Sequence, residues 1–214
     1  IMNIPNTLDL NVFNPEDKNT ARMALGLSPD RFILMSGFMP SRKDMHKGTS
    51  YLIEAIEILI KDQRISPERI ELVVFGNRNE KSLIDFGITT TFLGTINDDR
   101  RLSLCYSAAD VFVAPSLEDN LPNTVMESLA CGTPVVAFTT GGIPDMVKHK
   151  RNGYLAEYRS APDLAAGITW VYEHTNRLEL NRNARQTVEE KFSEEVVAKQ
   201  HIELYESLLN HVQA

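Results

Sequence analysis

Short, continuously apolar runs alternate with amphipathic ones along most of the chain. The run 32–36 stops at Gly37, Ile70–Phe75 stops at Gly76, and 90–93 stops at Gly94; Val111–Ala114, Val135–Phe138 and Gly153–Ala156 follow. Runs of this length, without polar alternation, are the pattern of strands buried on both faces. Between the first two, Leu52, Ile53, Ala55, Ile56, Leu59 and Ile60 recur at helical spacing, with Glu54, Glu57 and Lys61 on the other side. Similar patterning predicts helices over 17–25, 81–86, 97–108, 121–131, 161–174, 176–190 and 194–211. Strand and helix in alternation imply a doubly wound parallel sheet covered on both faces, a Rossmann-like α/β domain with extra C-terminal helices. Residues 31–190 are expected to form that domain. Residues 1–30 read as a polar, turn-rich linker remnant with one short helix, and 191–214 as a closing helix.

Composition narrows the class. With 214 residues, 43% of them hydrophobic, the chain has enough apolar surface for a full core. A net charge of -7 argues against nucleic acid and against a basic membrane-binding face. Cys105 and Cys131 show no paired framework and are expected as reduced thiols, which points to the cytoplasm. No run reaches membrane-spanning length, and the first residues lack the pattern of a secretory leader. The opening Ile1-Met2-Asn3-Ile4-Pro5-Asn6 reads as a linker cut from something longer. No Gly-x-Gly-x-x-Gly follows the first strand, which disfavours a dinucleotide redox cofactor. Walker, His-Glu-x-x-His, Gly-x-Ser-x-Gly and Cys-x-x-Cys patterns are likewise missing from the sequence. The histidines at 46, 149, 174, 201 and 211 have no ligand spacing, and no Asp-x-Asp pair would hold a metal against a diphosphate. Neither cofactor nor metal is expected.

The densest candidate chemistry lies between Pro115 and Val136. Asn120 is placed to cap the helix 121–131, Pro122 is tolerated in a first turn, Gly132 stops the helix and Pro134 introduces the next strand. The free N–H groups and dipole of such a helix make phosphate its natural guest. Asp119 and Glu127 would lie about 10 Å apart along the axis at 1.5 Å per residue. That span suits a ligand with hydroxyls at each end and a diphosphate between, since carboxylates accept well from paired hydroxyls. A plain cap at Asp119 and a solvated Glu127 fit the same residues. Lys47-Gly48, after the first strand, would place a point charge for phosphate, or would simply be a surface lysine. Gly141-Gly142, after Thr139-Thr140, permits close backbone approach to a ligand or merely a turn.

Taken together, these residues resemble the donor-binding region of the retaining glycosyltransferases of family 4, which have the GT-B fold. The pattern there is Pro-Ser, a Glu-x7-Glu pair, Ala-x-Gly-x-Pro-Val-Val, then Gly-Gly and a downstream Asn-Gly, and 115–153 follows it. Ile4-Pro5-Asn6, Lys47-Gly48, Phe92-Leu93-Gly94, Tyr106, Ala109-Asp110-Val111, Phe192-Ser193 and Tyr205 fall in the family's order. The resemblance implies that Glu127 binds the donor's ribose hydroxyls and that Asp119, or adjacent Glu118, contacts the donor sugar. Lys47 would neutralise the diphosphate, aided by N–H groups near Asn123 and Thr124. Gly76 and Gly94, which close the second and third strands, complete the donor-binding set. The chain departs from the pattern at four places: Asp119 stands for Glu, Phe38 for Arg, Pro122 for Gly and Asp145 for Glu. Arg42 or Lys43 would supply the charge that Phe38 lacks. The resemblance further implies a UDP- or GDP-sugar donor, retention of configuration, no metal, and an acceptor-binding N-terminal half upstream of this chain. A chain carrying the donor half alone is expected to be inactive. The full protein would be cytoplasmic, or peripheral at the inner face of a membrane. A nucleotide-sugar epimerase or phosphorylase of the same fold stays open as an alternative. So does a flavodoxin-like interaction module using the apolar stripe of the last helix (Phe192, Val196, Val197, Ile202, Leu204, Tyr205, Leu208, Leu209).

Overall fold

The computed structural model describes residues 4–37, 48–76 and 86–212. Helix α1 (Lys18–Leu25) precedes β1 (Phe32–Gly37), α2 (Thr49–Lys61), β2 (Ile70–Phe75), β3 (Thr89–Gly94), α3 (Asp99–Ala108), β4 (Val111–Ala114) and α4 (Asn123–Ala130). Then come β5 (Val135–Phe138), α5 (Ile143–Met146), β6 (Gly153–Ala156), α6 (Ala161–Glu173), α7 (Arg177–Lys191) and α8 (Glu194–Val212). The six strands form one parallel sheet in the order β3-β2-β1-β4-β5-β6. This is the doubly wound Rossmann order, in which the winding reverses between β1 and β4. Helices α2 and α6 cover one face; α1, α3, α4 and α7 cover the other, so two apolar clusters sandwich the sheet.

Every strand read from the sequence is present, within one residue at each end. Helix starts follow their side-chain caps: Asp17 accepts from the Thr20 N–H, Asp98 from Arg100 and Arg101, and Asn176 from Glu179. The helix expected over 81–86 lies outside the described residues except at Phe86, which is not helical. One short helix, α5, is additional to the predicted set, as is a 3₁₀ turn over Pro67–Arg69. In residues 1–30, Leu8, Phe13, Ala21 and Leu27 are buried in the same cluster as β1 and β4, and the Leu8 N–H donates to the Phe192 carbonyl at 3.1 Å. Both cysteines are buried free thiols, and burial pushes Cys105 up to about 11 and Cys131 up to about 12.

Asp110 anchors the end of the sheet remote from the crevice. Its carboxylate meets Lys18 at 2.8 Å, Arg22 at 2.6 Å and Arg177 at 3.4 Å, and accepts the Ile33 N–H at 2.8 Å. Burial alone would raise its pKa, but Lys18 and Arg22 outweigh burial and hold it below the usual carboxylate range. Arg22 is buried and gives its remaining N–H groups to the carbonyls of Ala108, Pro29 and Arg31. The Ala-Asp pair of the sequence pattern is therefore a structural brace.

Removing Asp110 would leave the buried Arg22 charge without its counter-ion, at a cost of about 3–5 kcal/mol. Urea unfolding of Asp110→Ala is expected to show a loss of that order at neutral pH. Because the folded pKa is depressed, the stabilisation is present above the unfolded value near ~3.9 and disappears as pH falls through the lower folded value. The gap between wild type and Asp110→Ala should therefore close in strong acid. A constant gap from neutral pH to strong acid would rule the brace out.

Candidate functional site

The crevice expected of this fold lies outside the carboxyl ends of β1 and β4, where the winding reverses. Ser36 Oγ near the end of β1 donates to the Val113 carbonyl on β4 at 2.7 Å, tying the two strands together there. Gly48 caps α2 in a left-handed conformation (φ 63°), and a Cβ on it would fall 1.8 Å from the Pro115 carbonyl oxygen. Only glycine lets the two crossover loops touch at that point. Thr49, the first residue of α2, is 4% exposed, and its Oγ1 has no hydrogen-bond partner among the described residues. Lys47, Arg42 and Lys43, the predicted basic set, and Phe38 lie outside the described residues.

The loop from β4 to α4 is fixed from beneath by the loop after β5. The Leu117 carbonyl accepts from Thr140 Oγ1 at 3.2 Å and from Tyr158 OH at 3.3 Å. Gly141 (φ 50°) and Gly142 lie against the backbone of Asp119 and Asn120, where added Cβ atoms would fall 1.7 Å and 2.2 Å from their carbonyl oxygens. The Gly142 N–H donates to the Asn120 carbonyl at 2.6 Å. The paired glycines thus bring loop to loop; their close neighbour is the acidic segment itself. Within it, Glu118 is exposed and Asp119 half-buried.

Helix α4 begins at Asn123, two residues later than the pattern predicts, because Pro122 occupies the N-cap in extended backbone. Asn120 does not cap it, and no side chain does. The amides of Val125 and Met126 turn back to the Pro122 carbonyl, while those of Asn123 and Thr124 precede the first intrahelical bond. Only 123–127 of the Asp119-to-Glu127 interval is helical, so an axial rise counted over all eight residues does not apply.

Glu127 is not the solvated residue of the bland reading. It is half-buried, and Tyr106 OH on α3 donates to its Oε2 at 2.8 Å. Burial pushes its carboxyl above the usual range; the phenol opposes that shift, and Asp99 adds to it. Burial, and next Glu127 itself, push the Tyr106 phenol well above its ordinary range, so it stays a donor. Gly76 and Gly94 meet at the neighbouring strand ends, the Gly76 N–H donating to the Gly94 carbonyl at 2.9 Å.

An open cleft of about 720 Å³ adjoins this assembly, bordered by Asn120, Leu121, Gly141 and Gly142 on one side and by Pro5, Asp145, Lys191, Phe192 and Gln200 on the other. A hollow of about 790 Å³ near Pro15, Cys131, Gly132 and Arg185 touches none of the predicted site residues. Sequence reasoning missed the Tyr106 contact and the far wall of the cleft. No group of acidic, histidine or cysteine side chains among the described residues has the arrangement of a metal site.

Residues 30–174 match the family model of the group 1 glycosyl transferases. The chain belongs to that family. It is 29% identical over 199 residues to an uncharacterized glycosyltransferase of Methanocaldococcus jannaschii, an alignment covering 89% of this chain and 48% of the relative. Among solved structures, sucrose-phosphate synthase from Thermosynechococcus elongatus superposes with a TM-score of 0.79 at 27% identity, covering 97% of this chain and 52% of the other. Anabaena HepE in complex with UDP and glucose gives 0.76 at 23% identity, covering 95% and 56%. The C-terminal domain of a group 1 family protein from Francisella tularensis gives 0.71 at 23% identity, covering 87% and 99%. The last two show likeness of fold. The chain spans about half the length, or less, of the curated glycosyltransferases it matches.

Gly141→Ala combines strain at positive φ with a clash against backbone, so it is expected to destabilise the protein by more than about 1 kcal/mol. Chemical unfolding without any ligand is the measurement. Wild-type stability in that variant would show that the glycine serves something other than the loop contact.

Proposed function

We propose that this chain is the donor-binding half of a retaining GT-B glycosyltransferase of family 4, acting on a nucleoside-diphosphate sugar. The observation that carries the reading is Glu127: a half-buried carboxylate beside the uncapped start of α4, at the reversal point of a Rossmann sheet. The UDP and glucose bound by HepE, which shares the fold, support it. The likeness to a C-terminal domain that was solved alone supports the assignment to that half.

In this reading the diphosphate lies on the amides of Asn123 and Thr124, with Lys47 and a further cation from Arg42 or Lys43 facing it. Glu127 accepts from the ribose hydroxyls, and Asp119 contacts the transferred sugar. Gly76 and Gly94 leave backbone open at the neighbouring strand ends. When the bond between the anomeric carbon and the phosphate oxygen breaks, the electron pair departs with the diphosphate. The N–H dipoles at the start of α4, with the ammonium of Lys47, stabilise the charge as it grows. No metal or cofactor is invoked; the acceptor oxygen bonds to the anomeric carbon on the face the diphosphate leaves, and its hydroxyl proton passes to the departing phosphate oxygen. The acceptor is a saccharide or similar alcohol held by an N-terminal half. That half also covers the apolar residues Ile202, Tyr205, Leu208 and Leu209, exposed on α8 at between 55% and 64%. The donor half alone binds nucleotide and transfers nothing, and the whole protein works in the cytoplasm.

Calorimetry with UDP and GDP is expected to show binding of at least one, and Glu127→Ala should weaken it by about 10- to 100-fold, as befits a hydrogen-bonded charge. Lys47→Ala should do the same for the diphosphates while leaving uridine or guanosine binding unchanged. If neither diphosphate binds to this chain or to one carrying the upstream half, the donor reading falls.

A further inference from the structure

Tyr106 is the residue on which the proposed role of Glu127 turns. The two are 21 positions apart on different helices, and the phenol hydroxyl meets Glu127 Oε2 at 2.8 Å. The Tyr106 ring is fully buried and stands edge-on to Phe75 (5.8 Å between centroids) and Phe112 (5.4 Å), which themselves stack at 6.3 Å. Phe75 closes β2, and its ring lies within 2.6 Å of where a Cβ on Gly37 would stand. The Tyr106 carbonyl accepts from Thr133 Oγ1 at 2.7 Å, so backbone and ring are both pinned. A hydroxyl held this rigidly has one place to point.

The charges around Glu127 make that hydrogen bond matter. From α3 it faces Tyr106 and, farther out, Asp99; Cys131 follows it on its own helix. On α7, Arg185 spends its guanidinium on the carbonyls of Phe13 and Ala130 and on Glu189. On α5, Asp145 is exposed. Among the described residues, the phenol is thus the group that both satisfies one carboxylate oxygen and sets the rotation of the other.

Resting on the donor reading above, we infer that Tyr106 is a positioning residue: it holds Glu127 Oε2 so that Oε1 presents to the vicinal hydroxyls of the donor's ribose. A carboxylate turned in this way accepts from both ribose hydroxyls, so the site prefers ribonucleotides to 2′-deoxyribonucleotides. The preference is created by the phenol even though the phenol does not touch the ligand.

The test is Tyr106→Phe, which keeps the ring packing and removes the oxygen. Calorimetry with UDP and GDP on wild type selects the tighter nucleotide, which is then compared with its 2′-deoxy analogue across a pH series. Tyr106→Phe is expected to weaken the ribonucleotide by about 10-fold, the deoxy analogue by much less, and so to shrink the preference. Losing the phenol removes the influence that opposes the upward shift of Glu127, so the pH below which affinity is lost should rise. Added to Glu127→Ala, which removes the acceptor, Tyr106→Phe should cost nothing further, and that double variant separates positioning from a general loss of folding. Unchanged affinity, preference and pH midpoint in Tyr106→Phe would overturn the inference alone. A wild-type protein that binds no nucleotide would overturn the donor reading and the inference with it. An equal loss for ribo- and deoxynucleotide, persisting in the Glu127→Ala background, would make Tyr106 merely structural.

Discussion

Backbone pressed directly on backbone, with no side chain between, organises the carboxyl end of this sheet. Gly48 sits on the Pro115 carbonyl, Gly141 on that of Asp119 and Gly142 on that of Asn120. Three crossover loops, those after β1, β4 and β5, therefore meet as one unit. Ser36 Oγ and Thr140 Oγ1 reinforce it through the carbonyls of Val113 and Leu117. Close-packed interiors transmit displacement instead of absorbing it, so the start of α4 cannot shift without moving all three loops. The two acids of the segment inherit their places from that contact: Asp119 lies on the clamped loop, and Glu127 one turn into the helix the loop launches. Pro122 belongs to the same logic. It removes one N–H at the loop-to-helix junction and sets an extended entry, with the amides of Asn123 and Thr124 ahead of the first intrahelical bond.

Two partly buried acids show how environment separates structure from chemistry. Asp110 is surrounded by Lys18, Arg22 and Arg177, is held below the usual carboxylate range, and has every oxygen engaged. Glu127 has a phenol and a distant like charge, and is pushed above that range. The first arrangement is saturated and serves cohesion. The second engages one oxygen and leaves Oε1 with acceptor capacity to spare in a partly desolvated setting, which favours a hydroxyl-bearing ligand.

Strand positions were legible because most are continuous apolar runs ended by a turn signal, and even the half-buried, threonine-rich edge strand β3 ends in Phe92, Leu93 and a glycine. The parallel sheet and the placing of helices on two faces followed from the alternation, while the strand order came only with the fold. Helix α4 was legible in kind but not in its start, since Asn120 satisfies the composition of a cap without reaching the geometry of one. Four-residue α5 is too short to show a period. The Gly141-Gly142 pair announced a close approach, yet only the folded chain reveals that the approaching group is the 119–120 backbone. Tyr106 carried a place in the family pattern but no hint of its partner, because a contact across 21 residues depends on how α3 packs beside α4. The apolar content of the approach segment, with Leu8 and Phe13 buried, was hidden by the polar residues around it.

Helix α8 shows the same economy at a larger scale. Val197 is 1% exposed, while Ile202, Tyr205, Leu208 and Leu209, farther along, lie open. An apolar face that continues after its own core has ended calls for another surface, and the curated relatives are about twice as long as this chain or longer. The position of the face says more than its existence. Pro5, Phe192 and Gln200 border the same cleft as Asn120 and Gly142, and Leu8 pairs with Phe192 beside them. The chain's approach segment and the root of α8 thus flank a cleft bordered by Asn120, the residue next to Asp119. A second half joined through that approach segment and resting on α8 would be held over the cleft. On the proposed reading, a donor sugar at Asp119 and an acceptor carried by the other half would then share one enclosed space, and the entropy of bringing them together would be met by the fold.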